Sequence, residues 1–364
     1  MKSRERVLKA MLRKEPDRVP ILCHYTPEIQ ELLEKHTGLE GLDVNCSLGD
    51  DAIILWFGMC TMFNRTVQEG ETYETEWGIR LTRHGIYNEV SFNPLANVKT
   101  VQEVNSHFFP DPMPKETRIE VQNNIQRYGD EYAVVGSVPL TIYEGAEHLR
   151  GYQQILEDIL INRKIAEAIF DRVMEYHYYV SLALIEMGID ILWLGDDMGT
   201  QRGMIISPQL WREIFKPRWR FLFESFKKKN SNLLIAYHSD GSIRPIIPDL
   251  IEIGLDILNP IQPLCEGMNS WELKKEYGKD LAFFGGIDIQ EVLPFGTIED
   301  VKAEVKKRID SLAVGGGYLC GPTHNIQSDT PLENILTMYQ TIKKFGLYPI
   351  RESNVDKKNI TFIK

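Results

Sequence analysis

Apolar positions along the chain fall into two alternating rhythms. Short runs rich in aliphatic and β-branched residues recur at Val19–His24, Ala52–Phe57, Tyr132–Ser137, Ile189–Leu194, Leu233–His238, Asp256–Pro260, Leu281–Gly286 and Gly317–Cys320, and each reads as a buried strand. The stretches between them carry apolar residues at helical spacing. Tyr152 to Met187 is long enough for two helices, and Ser207-Pro208 supplies an N-cap and a first-turn proline for a helix over Leu210–Lys227. The second half also contains an echo: Ile185-Glu-Met-Gly-Ile-Asp-Ile-Leu192 returns 66 residues later as Ile251-Glu-Ile-Gly-Leu-Asp-Ile-Leu258. Each copy reads as a helix end, a glycine suited to a left-handed cap, and a strand entering a core. Two strand–helix units of about 33 residues fill that offset, the spacing of parallel strands joined by helical crossovers.

Eight strands with intervening helices predict an α/β fold of the (β/α)₈ TIM-barrel type, with a doubly wound open sheet as the alternative. Residues 58–130 depart from the rhythm. Thr72–Leu81 and Asn88–Phe92 alternate like a β-hairpin inserted between strands two and three. The expected organisation is a single barrel over residues 1–350, followed by a C-terminal tail, 351–364.

Composition narrows the partners. The chain has 364 residues, 43% of them hydrophobic, and a formal net charge of −11 with both signs interspersed. Nucleic acid and anionic membrane surfaces are therefore excluded as expected partners, since both need clustered Lys and Arg. No apolar run approaches the roughly 20 residues that span a bilayer. The charged stretch Met1–Arg18 lacks the apolar centre of a signal peptide. A cytoplasmic protein is expected, with a homodimer as the default assembly. The five cysteines, Cys23, Cys46, Cys60, Cys265 and Cys320, are scattered without close pairs, so no disulfide framework or zinc ribbon is indicated.

In a barrel, catalytic groups come from the C-terminal ends of the strands. Those ends are His24-Tyr25, Trp56-Phe57, Ser137 through Tyr143-Glu144, Gly195-Asp196-Asp197-Met198, Tyr237-His238-Ser239-Asp240, Asn259-Pro-Ile-Gln262, Gly286-Ile-Asp288, and Cys320-Gly-Pro-Thr-His324-Asn325. His238 is a candidate general base or metal ligand; a histidine satisfied by a backbone carbonyl is the plainer reading. Cys320 read alone is a buried thiol. Asp240, before Gly241-Ser242, is also placed to cap the next helix. Asp196 and Asp197 suit metal binding, capping or pairing with Arg202. Tyr25, Trp56, Phe57, Tyr143, Trp193, Met198, Met204 and Tyr237 suit a flat apolar ligand, and core packing explains them equally well.

Several of these residues stand in motifs that together resemble the uroporphyrinogen decarboxylase superfamily, in its corrinoid-dependent methyltransferase branch. They are Arg4-Glu-Arg-Val-Leu-Lys-Ala10, Asp17-Arg-Val-Pro20, Glu76-Trp-Gly78, Ser207-Pro-Gln-Leu-Trp211, His238-Ser-Asp-Gly241, Gly285-Gly-Ile-Asp288 and Gly315-Gly-Gly-Tyr-Leu-Cys320. The resemblance implies a (β/α)₈ barrel. Decarboxylases of the superfamily resemble one another in an Arg-rich segment after strand one, where this chain has Leu22-Cys-His-Tyr-Thr-Pro-Glu28, so porphyrinogen decarboxylation is disfavoured. Thiol-directed members carry His-x-Cys at strand five and a second Cys at strand eight as zinc ligands. This chain keeps His238 and Cys320 but has Asp240 in the middle position.

The resemblance, with that departure, implies a Zn²⁺ site of Glu144, His238 and Cys320, Asp240 replacing Glu144 or orienting His238. A harder site favours an oxygen ligand. The implied activity moves a methyl group from a small methoxylated aromatic substrate to the cobalamin of a separate corrinoid protein, since no Asp-x-His-x-x-Gly motif is present. Tyr143 or His24 would donate to the departing oxygen. Tyr25, Trp56, Phe57, Trp193, Asp196, Met198 and Tyr237 would bind the substrate. A methylcorrinoid:thiol methyltransferase, a decarboxylase and a non-catalytic barrel that docks a corrinoid protein are the alternatives.

Overall fold

A computed structural model describes residues 1–351; of the tail expected at 351–364, residues 352–364 lie outside the described residues. The strands, in chain order, are β1 (Ala52–Trp56), β2 (Thr72–Glu74), β3 (Arg80–His84), β4 (Tyr87–Phe92), β5 (Ala133–Pro139), β6 (Ile191–Gly195), β7 (Leu234–His238), β8 (Ile257–Asn259), β9 (Ala282–Phe284) and β10 (Tyr318–Leu319). Seven form one sheet in the order β1-β5-β6-β7-β8-β9-β10. Every neighbouring pair is parallel. Helices fill the crossovers, and the result is a barrel-like α/β fold. The two copies of the echo end their helices at Gly188 and Gly254, with φ of +96° and +101°, the left-handed caps that admit the next strand.

The first predicted strand, Val19–His24, does not form a ladder. Ile21 makes an isolated parallel bridge to Cys320. On the other side one backbone bond, from Asp51 N–H to the Ile21 carbonyl (2.8 Å), reaches the start of β1. Two features prevent a longer ladder: Pro20 has no N–H to give, and the Ile21 N–H is taken by the Asp51 carboxylate at 2.9 Å. The segment therefore spans the two edges of the sheet with few bonds.

The inserted region is a three-stranded antiparallel sheet, β2-β3-β4, and not a hairpin. The run expected as one strand over Thr72–Leu81 is broken at Glu76-Trp77-Gly78, where Gly78 N–H bonds the Thr75 carbonyl at 2.9 Å and φ of Gly78 is +76°. The helix expected over Leu210–Lys227 is likewise two, Pro208–Ile214 and Lys216–Lys229. Pro217 has no N–H for the Glu213 carbonyl, so the first helix cannot continue through it. Tyr152–Ile161 and Arg163–Met187 form the expected pair.

Alternation along the strands sorts side chains into two layers. Ala52, Ile54, Ala133, Val135, Ile191, Trp193, Leu234, Ala236, Ile257, Ala282, Phe284 and Leu319 form the inner core, which Val7, Ala10 and Met11 of the helix Ser3–Met11 join. Their neighbours face the helices in a larger outer core that includes Tyr237, Tyr318 and Cys320. Each fully buried aliphatic or aromatic side chain contributes about 1.5–3 kcal/mol, which fixes the strand phase tightly. That phase decides which strand-end side chains can meet.

Candidate active site and metal centre

His238 ends β7 in phase with Leu234 and Ala236, so its ring joins the inner face beside Trp193, with ring centroids 5.7 Å apart. Its Nδ1 lies 2.7 Å from Asn259 Oδ1 at the end of β8, and the Asn259 amide N–H donates to the Phe284 carbonyl at 3.2 Å. The amide oxygen can only accept, so Nδ1 carries the proton and Nε2 presents its lone pair. Two carboxylates face that lone pair: Asp197 Oδ1 at 3.5 Å and Asp240 Oδ1 at 3.7 Å. These three ligand atoms lie within 4.8 Å of one another and form the group among the described residues that could hold a metal ion.

Backbone packing brings the two carboxylates together. Asp197 Oδ1 accepts the Asp240 N–H at 2.7 Å, and Met198 N–H donates to Ser239 Oγ at 2.9 Å, so the loops after β6 and β7 are stitched. Gly241, with φ +80°, allows the approach; a Cβ there would lie 2.4 Å from the Gly199 carbonyl carbon. Asp240 Oδ1 is buried without a hydrogen-bond partner. Burial, then the charge of Asp197, holds its carboxyl above the usual range. A buried carboxylate facing another carboxylate and an imidazole lone pair is a set of acceptors lacking a cation, so the residues fit a divalent ion. Zinc bonded at 2.0–2.1 Å separates tetrahedral ligands by roughly 3.4 Å, close to the spacings here. All the donors are nitrogen and oxygen.

The other expected ligands stand elsewhere. Cys320 follows inward-facing Leu319, so its thiol packs in the outer core, fully buried beside Tyr318, with burial pushing it up to about 12. Glu144 Oε2 accepts the Asp197 N–H at 2.9 Å, which places Glu144 behind Asp197 and outside the converging trio. Its carboxyl is pushed well above the usual range by burial and by Asp197 and Asp196. His324 occupies the neighbourhood expected for Cys320, 5.9 Å ring to ring from His238.

A cage of rings surrounds the inner face of the site. Trp193 has His24 at 5.4 Å, Trp56 at 5.4 Å and Phe284 at 5.3 Å. His24 Nδ1 meets Asn325 Oδ1 at 2.7 Å, so Nδ1 is protonated and the partnerless, buried Nε2 is an acceptor. Burial, with His324 and His238 nearby, lowers His24 to about 3. At neutral pH it therefore accepts a hydrogen bond, whereas a donor to a departing oxygen was expected. Tyr143, the other expected donor, is wholly buried in the outer core with its ring against Phe215.

Of the expected substrate contacts, Trp56 and Trp193 line the cage. Tyr237 faces outward against Trp219 at 4.9 Å, and Met198 packs in the same outer layer. Tyr25 turns its hydroxyl to Tyr339 at 2.5 Å, and Phe57 packs against the outer core. Asp196 accepts the N–H groups of Ile142 and Glu144 at the start of the helix Tyr143–Arg150. Burial raises it to about 7. Asp197, read from the sequence as suited to metal binding, capping or pairing with Arg202, joins the trio; His324, Phe284, Asn259 and Asn325 are the site residues that sequence reasoning did not select. Each stands in or beside a strand end, and strand phase was the missing signal.

Comparisons with known proteins agree with this architecture. The family model described as "Uroporphyrinogen decarboxylase (URO-D)" matches residues 120–345, well over half of the chain. A curated relative, the methylated-thiol--coenzyme M methyltransferase of Methanosarcina mazei, is 22% identical over 208 residues, 57% of this chain and 52% of its own length. The chain thus spans about half the length of that relative. A solved methyltransferase structure from Methanosarcina mazei superposes with a TM-score of 0.70 at 18% identity, covering 95% of this chain and 99% of the other, and shares the fold. This chain belongs to the uroporphyrinogen decarboxylase family.

Proposed function

We propose that this chain is a methyltransferase that removes a methyl group from a small methoxylated aromatic substrate and passes it to a corrinoid carried by a separate protein. One observation carries the reading: a thiol-free trio of Asp197, His238 and Asp240 beside a cage of Trp56, Trp193 and Phe284. When bound, a zinc ion would polarise the methyl-bearing oxygen, and the partner's corrinoid would accept the methyl group. Asp197 and Asp240 supply the anionic ligands, and Asn259 keeps Nε2 of His238 available to the ion. The rings orient a flat ligand and exclude water, and His24 accepts a hydrogen bond from it.

Thiol-directed transfer, named for the Methanosarcina mazei relative, is disfavoured because a nitrogen and oxygen donor set makes a harder ion that prefers oxygen. Metal analysis tests the proposal. Wild type and Cys320→Ser should retain stoichiometric zinc and His238→Ala should lose it, while methylcobalamin should appear from 2-methoxyphenol and reduced cobalamin only in the first two. Full zinc content in His238→Ala, or methyl transfer that survives it, overturns the assignment.

A further inference from the structure

The seam between residues 19–24 and β1 is the weakly bonded part of the strand wall: one backbone bond joins it, from Asp51 N–H to the Ile21 carbonyl, with the Asp51 and Asp50 carboxylates accepting the Ile21 and Cys23 N–H groups at the same N-terminal end. Beyond that bond the two segments part around a cavity of about 230 Å³, whose walls include His24 and Trp56 from the inner face and the Cys23 side of the wall. Gly41, Leu42, Ile54 and Trp56 also line a second, outer groove of about 970 Å³. The larger groove and the smaller, also partly open cavity thus share walls at Leu42 and Trp56, and the smaller one is lined by His24, whose ring is 5.9 Å from Trp56 at the cage.

Charge and size describe what could pass. The groove is lined by Glu34, Glu40, Glu76, Asp111 and Glu120 against one cation, Arg127, which is itself paired with Asp43. Such a rim repels anions. The groove has the volume of a drug-sized ligand site, about 300–1,000 Å³, and the inner cavity falls below that range, enough for a single ring.

We infer that the seam is a side entrance to the candidate site, admitting neutral or cationic molecules of single-ring size past Leu42. Its use by a methyl donor rests on the proposed function: a corrinoid protein seated over the strand ends would cover the mouth, and a small substrate would then need another way in.

Cysteine labelling tests the entrance without any turnover. Cys23 and Cys320 are both at least 99% buried on adjoining segments, but only Cys23 lines the inner cavity of the two described here. Burial pushes both thiols up, so access is what separates them: with methyl methanethiosulfonate and peptide mass mapping, Cys23 should react about tenfold faster than Cys320. The negatively charged 2-sulfonatoethyl reagent should be slower at Cys23 than the neutral one. Leu42→Trp should slow Cys23 labelling and Leu42→Ala should speed it, with Cys320 unchanged in both. Equal rates at the two cysteines, or no response of Cys23 to either Leu42 variant, overturns the inference. Loss of the zinc and methylcobalamin results with the labelling pattern intact would remove the methyl-transfer reading and leave the entrance standing.

Discussion

A hydrogen bond to one side-chain amide oxygen decides what His238 can do. Asn259 Oδ1 holds the Nδ1 proton, so Nε2 is the ligand atom. Outer partners of metal-bound histidines commonly tune affinity by about 10–100-fold. Asn259→Ala should weaken zinc binding by about that factor, measured by chelator competition, and Asn259→Asp should restore part of it; unchanged affinity in Asn259→Ala would show that the amide is only packing. The same side-chain geometry shows what could not be read from residue identity. His238 and Cys320 both end apolar runs, but Leu319 faces inward and so Cys320 faces out. One residue of phase separates a ligand from a core thiol.

The helix Tyr143–Arg150 shows how an element is placed. Asp196 holds its first N–H groups, and at its last residue Arg150 bonds Asp158 at 2.7 Å together with the carbonyls of Leu95, Ala96 and Val98. Both Arg150 and Asp158 are at least 98% buried. Removing one partner of a buried pair leaves the other charge uncompensated, so Arg150→Leu should cost about 3–5 kcal/mol in urea unfolding. A loss under about 1 kcal/mol would mean that solvent relieves Asp158. In the sequence Tyr143 and Glu144 read only as following a strand end, because the helix's cap, Asp196 just after β6, is 52 residues away from Glu144. Helix signals within the local sequence were legible: Ser207 accepts the Leu210 N–H at 3.2 Å as its position before Pro208 predicts.

At the scale of the whole molecule, Asp50 ties distant parts together. It accepts the Tyr339 hydroxyl at 2.8 Å across 289 residues, as well as the Cys23 N–H and the Asn45 amide. Burial raises its carboxyl to about 8. The folded state therefore favours the protonated form: this contribution is complete below the unfolded value near 3.8 and is lost as pH rises towards 8. Wild type should lose stability over that window, and Asp50→Asn should flatten the decline by on the order of 1 kcal/mol or more. Denaturation curves at pH 5 and pH 8.5 check this; parallel losses in both proteins would assign the decline to other groups.

The sequence by itself determined the alternation of strands and helices, the parallel order of the second half, and the set of strand ends from which the site is drawn. Those follow from local periodicity, left-handed glycine caps and crossover lengths, which act over a few residues or one repeat. Only the tertiary structure decided which of the candidates meet. Convergence of Asp197, His238 and Asp240 depends on the phase of β6 and β7 and on two loops in backbone contact at Gly199 and Gly241. The open seam beside β1 depends on Asp51 turning its carboxylate to the Ile21 N–H, a contact between residues 30 apart. Strand phase and long-range bonds are set by burial on both faces at once, which no single segment of the chain specifies.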